Sequence, residues 1–131
     1  MKAFRLLFLL SLSAGLAVAS STASRAGGPA NPGAAAQGKY LVRRVSLCID
    51  CHGAALSGKP VRGVGPPHVP WASHAPKIAG LQMFDADGDA IRFFETGVDA
   101  HGKHARRPMP QYRLRSDDAA AVVAYLRALR P

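Results

Sequence analysis

Residues 48–52 read Cys48-Ile49-Asp50-Cys51-His52, and the rest of the chain is read outward from them. They hold both cysteines of a 131-residue chain, with an imidazole directly after the second. Upstream, about residues 34–47 place Tyr40, Leu41 and Val45 on one helical face, while Lys39, Arg43 and Arg44 point outward, so a helix leads into the pair. Downstream, residues 53–80 contain five prolines and five glycines. No regular element is expected at that density. A loop this long in a small domain is either disordered or wrapped on something, and wrapping is the expectation.

Further on, a short helix fits residues 89–96, with Ile91, Phe93 and Phe94 as its apolar part and Gly97 as its stop. Residues 98–110 return to loop. The last helix is the best signalled. Ser116 is placed to cap it, Asp117 and Asp118 suit its positive end, and Arg127 and Arg130 suit the other. Ala119, Val122, Val123, Leu126 and Leu129 keep helical spacing and face inward. No strand pattern of useful length and no internal repeat is visible. The expected class is all-α.

Hydrophobic residues make up 48% of the chain and charged ones 19%, which excludes disorder and a membrane bundle by composition. Residues 6–19, LLFLLSLSAGLAVA, follow Lys2 and Arg5 and close on small-x-small. This reads as a secretory signal over residues 1–19, with the cut as late as 26, and it falls short of the ~18 apolar residues of a spanning helix. A retained anchor is the alternative. Residues 20–33 read as a flexible leader and residues 34–131 as one domain. Losing Lys2 and Arg5 lowers the formal charge of +9 by two and leaves the domain basic.

In an exported chain two cysteines usually form a disulfide, but C-x-x-C-H is the attachment signature of c-type haem. Two thiols at this spacing each add across one vinyl group on one porphyrin edge. The next residue, His52, then offers an imidazole nitrogen to the iron. A dithiol redox site calls for a preceding strand and a βαβ setting, and neither is present. A zinc site calls for two more ligands at suitable spacing, which are also missing. The expected cofactor is one covalently bound haem c on Cys48 and Cys51.

With that motif, the chain resembles class I c-type cytochromes, the small monohaem kind, and the related haem domains of bacterial dehydrogenase complexes. The likeness runs over residues 34–130. Its specific parts are residues 48–52, Ala75-Pro76-Lys77-Ile78-Ala79-Gly80-Leu81, and Pro108-Met109-Pro110 ahead of a final helix ending VVAYLRAL. The resemblance implies a few helices around one haem, with the first and last helices crossing. It also implies that the Pro76 carbonyl accepts the imidazole N–H of His52, which would orient that ring and strengthen it as a donor. The family often has a small residue eight positions before the first cysteine and an aromatic four before. Here those positions hold Tyr40 and Arg44, so the crossing is expected to use Gly38 with Tyr40 or Leu41.

Met83 and Met109 are the thioether candidates for the second axial position. Met109 lies between two prolines and precedes the last helix, as the ligand methionine does in the family; Met83 follows Gly80 closely and reads as core filling. His68, His74, His101 and His104 are competitors that read as solvated. With His52 and Met109 both bound, the iron has no open position, and thioether ligation raises its potential relative to two imidazoles.

Other signals lead elsewhere and fail. Residues 85–89, DADGD, lack the glycine and the twelfth-position glutamate of a calcium loop. His101-Gly102-Lys103-His104 lacks the glutamate of a metalloprotease helix. Arg106, Arg107, Arg113 and Arg115 form a basic group around Met109, suited to a solvated face or to steering an acidic partner. The resemblance implies a periplasmic single-electron carrier rather than an enzyme. Its partner is expected to be an acidic redox protein or a dehydrogenase or oxidase complex. Contact with an anionic membrane surface is a further expectation, and nucleic acid is excluded for want of a reading motif. The alternatives are an electron-transfer subunit held by the 53–80 loop and Trp71, and a haem sensor or peroxidase-like enzyme.

Overall fold

A computed structural model describes residues 32–63 and 65–130. The signal over residues 1–19, its later cut and residues 20–31 of the leader lie outside them. Helix α1 (Pro32–Tyr40) passes directly into a π-helical turn, Leu41–Val45. The short helix α2 (Cys48–His52) follows, then the two-residue strands β1 (Lys59–Pro60) and β2 (His74–Ala75), helix α3 (Asp87–Thr96) and helix α4 (Ser116–Ala128). Pro32 and Gly33, read as leader, thus belong to the first helix.

The fold rests on the crossing of α1 and α4. Gly38 is buried there, and a Cβ built on it would lie 1.9 Å from the Ala121 carbonyl oxygen and 2.7 Å from Tyr125 Cβ. Only a residue without a side chain lets the two backbones approach so closely. Around the crossing, Leu41, Val42, Val122, Val123 and Leu126 are buried with Leu56, Leu81 and Phe94 in one core. The crossing uses Gly38 and Leu41, but Tyr40 is 57% exposed and Val45 54% exposed. The wider π turn advances the chain by a smaller angle per residue. It brings Val42 inward, which a uniform 3.6-residue repeat did not anticipate. Arg43 is also drawn in: its Nε donates to the Tyr125 hydroxyl at 2.8 Å.

Helix α3 begins at Asp87, two residues earlier than the apolar pattern indicated, and ends on Gly97 at φ +71. Helix α4 begins at Ser116 itself. Its N-cap is Arg115, in extended conformation and without a side-chain cap, so Ser116 is not the cap. The Ser116 hydroxyl instead donates to the Glu95 carboxylate on α3. The 53–80 segment is wrapped, and it is not devoid of regular structure. β1 and β2 pair antiparallel, Lys59 with Ala75 and Pro60 with His74, and the Val61 N–H donates to the Ser73 carbonyl just beyond. Trp71 bridges to Arg107, and the Ala72 N–H donates to the Arg107 carbonyl at 2.7 Å. Two proline-rich loops are thereby sewn together.

At the other end of α4, the Arg127 guanidinium reaches back from the last turn. It donates to the carbonyls of Gly80, Leu81 and Phe84 and to the Asp87 carboxylate at 2.8 Å. The segment following Pro76 is thus tied to the C-terminal helix as well as to the loop. Among the described residues no helix is long and apolar enough to cross a membrane.

Candidate haem site

Cys48, Cys51 and His52 all sit on α2, a helix of a little over one turn. It is entered through Leu47 at φ +49 and left through Gly53 at φ +84. The two cysteines form no disulfide with each other. Burial pushes the Cys48 thiol above its ordinary value, opposed by the neighbouring Tyr112 hydroxyl. Tyr112 is pushed up to about 12, first by its own burial and then by the Cys48 sulfur beside it. Its hydroxyl donates to the Ser46 carbonyl at 3.0 Å.

His52 is 5% exposed and is the one buried polar side chain among the described residues. Its Nδ1 lies 2.7 Å from the Pro76 carbonyl oxygen, the geometry of an N–H donating to a carbonyl. That bond fixes the ring plane and leaves Nε2 as the free nitrogen, the arrangement of a metal-ligating imidazole held from behind. Pro76 is held in turn. Two and three positions further on, Ile78 and Ala79 both donate their N–H groups to the Leu56 carbonyl.

His52 opens onto a cavity of about 850 Å³ that is also lined by both cysteines and by Met109. This lies within the ~300–1,000 Å³ of cofactor pockets. One wall is aromatic: Phe84, Phe93, Phe94 and Tyr112 follow one another with ring centroids 5.4, 5.5 and 6.4 Å apart. Such a wall offers a flat apolar cofactor large contact area and tilted ring packing. Trp71 Nε1 is the one buried side-chain nitrogen or oxygen among the described residues without a hydrogen-bond partner; its indole lies against Gly65 and is not part of the cavity lining.

Met109 follows the Arg106 carbonyl by a turn bond of 3.1 Å and is half-buried between Pro108 and Pro110. Met83 also lines the cavity and is 49% exposed, so it is not core filling. The Leu81 and Phe84 carbonyls are bonded to Arg127 of α4, and the two residues between them, Gln82 and Met83, are exposed. Of the four loop histidines, His74 and His101 line the cavity. His104 Nδ1 bonds the Gly97 carbonyl at 3.1 Å, and His68 is exposed. Arg106 lines the cavity, whereas the Arg113 guanidinium folds onto the Thr96 carbonyl at the end of α3. There it meets an unpaired acceptor and the negative end of the helix.

A thiol pair and a buttressed imidazole opening on one aromatic-walled cavity, in an all-α frame, define a small helical protein built around a thiol-anchored planar cofactor. The family model described as Cytochrome c matches residues 35–130, and the chain belongs to that family. No curated protein and no solved structure matches it. The chain is accordingly a haem-based electron-transfer protein that carries covalently attached haem c.

Proposed function

We propose that the chain is an exported, periplasmic carrier that passes single electrons between soluble or membrane-bound redox partners. In this reading Cys48 and Cys51 would hold the cofactor through thioether bonds, and His52 and Met109 would be the two protein ligands to its iron. When bound, the haem iron takes up and gives back one electron. The chain supplies the rest. Pro76 sets the plane and the basicity of His52. The two prolines beside Met109 restrict the backbone that presents the thioether. The phenylalanine wall keeps bulk water from one side of the cavity. A filled axial pair leaves no position for substrate, which favours a carrier over a sensor or peroxidase-like enzyme.

The observation that carries this reading is the 2.7 Å contact from His52 Nδ1 to the Pro76 carbonyl, on the same short helix as Cys48 and Cys51. Periplasmic residence is supported by the signal-like residues 1–19 and by the assembly of such haem outside the cytoplasm. A free carrier is favoured over a permanently bound subunit because the Trp71 ring lies against Gly65 and its backbone is bridged to Arg107. Visible spectra of the oxidised and reduced protein test the ligand set. The oxidised form is expected to show the weak far-red band of a ferric iron–thioether bond. Met109→Ala is expected to remove it and lower the potential, with Met83→Ala leaving both in place. The reverse outcome, or carbon monoxide binding to the reduced protein at neutral pH, refutes the assignment.

A further inference from the structure

We propose that Gly58 is a positioning residue for the axial imidazole, acting through the backbone of Pro76. The inference rests on the reading of His52 as an axial ligand. Gly58 adopts φ +86, and its N–H donates to the His52 carbonyl at 2.9 Å. A Cβ built on Gly58 would stand 2.7 Å from the Ala75 carbonyl oxygen, 2.9 Å from the Lys77 nitrogen and 3.0 Å from the Pro76 carbonyl carbon. All three are backbone atoms, and together they flank the carbonyl that meets His52 Nδ1. Gly58 therefore touches both ends of the contact: it is bonded to the main chain of the imidazole residue and abuts the peptide that buttresses the ring.

The neighbours leave that peptide little room to yield. On one side Ala75 is paired with Lys59 in the two-residue ladder. On the other, Ile78 and Ala79 are bonded to the Leu56 carbonyl at 2.9 and 3.1 Å. A methyl group at position 58 must push the 75–77 peptides away from α2, and the Pro76 oxygen is the atom that moves with them. A longer Nδ1–H···O bond makes the imidazole a weaker donor and stabilises ferric iron less, so the potential rises. Gly63 provides the contrast. It adopts φ +94, as left-handed as Gly58, yet nothing lies within 4 Å of its built Cβ. Backbone strain is thus common to both glycines and crowding belongs to Gly58 alone.

The test compares haem-loaded wild type with Gly58→Ala, Gly58→Asn and Gly63→Ala. Asparagine tolerates positive φ better than alanine and keeps the crowding, so it retains a measurable protein if alanine folds poorly. Potentials are read on the loaded fraction alone, and exchange of the His52 Nδ1 proton is followed by NMR in the reduced state. Both Gly58 variants are expected to move the oxidised/reduced equilibrium about threefold to tenfold towards reduced, up to ~59 mV for one electron, and to quicken Nδ1 exchange. Gly63→Ala is expected to do neither. Unchanged potential and exchange in the Gly58 variants, or equal shifts in Gly63→Ala, overturn the proposal. A His52→Ala protein with the wild-type iron spectrum refutes the axial reading itself, and this inference with it, whatever the Gly58 variants do.

Discussion

Replacing Gly38 by alanine tests the packing on which the site stands. The added methyl would meet the Ala121 carbonyl oxygen at 1.9 Å, where ordinary contact begins near 3.4 Å. Relief needs about 1.5 Å of retreat between α1 and α4, and both partners at the clash are main chain, which cannot rotate aside. A gap of only ~0.5–1 Å already forfeits a quarter to a half of each dispersion contact it opens. Overpacking of this kind typically costs ~1–3 kcal/mol; alanine returns ~1 kcal/mol of helix propensity. A retreat felt by Val42, Val122 and Leu126 together places the cost at the upper end, so a net loss of about 2 kcal/mol is expected. For a domain of this size that lowers Tm by roughly 8–16 °C. Thermal melting of the haem-loaded protein, followed by far-UV circular dichroism, measures it. Gly88→Ala is the control: it lies in α3 with nothing within 4 Å of its built Cβ, so alanine there should be neutral or stabilise by up to ~1 kcal/mol. A Gly38→Ala protein as stable as that control refutes the reasoning.

Haem should remain with the polypeptide through denaturing electrophoresis and stain at the mature mass, and the Cys48→Ala, Cys51→Ala double variant should lose the stain; haem extracted intact by acid acetone contradicts covalent attachment. Reduction by an acidic partner should slow between 0.01 and 0.1 M salt, as the Debye length falls from ~30 to ~10 Å, and Arg106→Glu with Arg107→Glu should depress the low-salt rate more than the high-salt rate in stopped flow. Tyr112 holds its proton more tightly in the fold than its ordinary value of 10.0, up to about 12. Its contribution to stability is therefore complete below pH 10 and is lost as pH rises towards 12. Tyr112→Phe should flatten that alkaline loss in denaturation curves, and an unchanged slope contradicts it.

What could be read in advance follows from how local each signal is. Cys48, Cys51 and His52 are adjacent in sequence, so their spacing alone carries their chemistry. The inward face of α4 repeats over more than three turns, enough for periodicity to register. Gly38 was legible because a family comparison asks for a small residue at a helix crossing. The misses are contacts between distant residues. Ser116 reads as a cap because caps are local, but Glu95, twenty-one positions earlier, accepts from its hydroxyl. The ladder of β1 and β2 has two pairs, too few for alternation to show. Met83 reads as filling because nothing nearby marks the Arg127 bonds to the Leu81 and Phe84 carbonyls around it. Gly58 looked like one more glycine in a loop, since its value depends on peptides seventeen to nineteen positions away.

The π turn at Leu41–Val45 has a consequence for the seam between the first and last helices. It holds one residue more than an α-helical turn would need, and it is the last piece of regular backbone before Cys48. With i→i+5 bonding, about five residues make the rotation that about four make in an α-helix, so the extra residue is absorbed locally. Deleting a single residue there would restore an unbroken α-helix with the two thiols and His52 leaving α1 in nearly their present phase. It would remove the local displacement that brings Val42 and Arg43 inward, and with it the reach of Arg43 to the Tyr125 hydroxyl. The extra residue thus serves that seam, and the aim of the attachment motif does not depend on it.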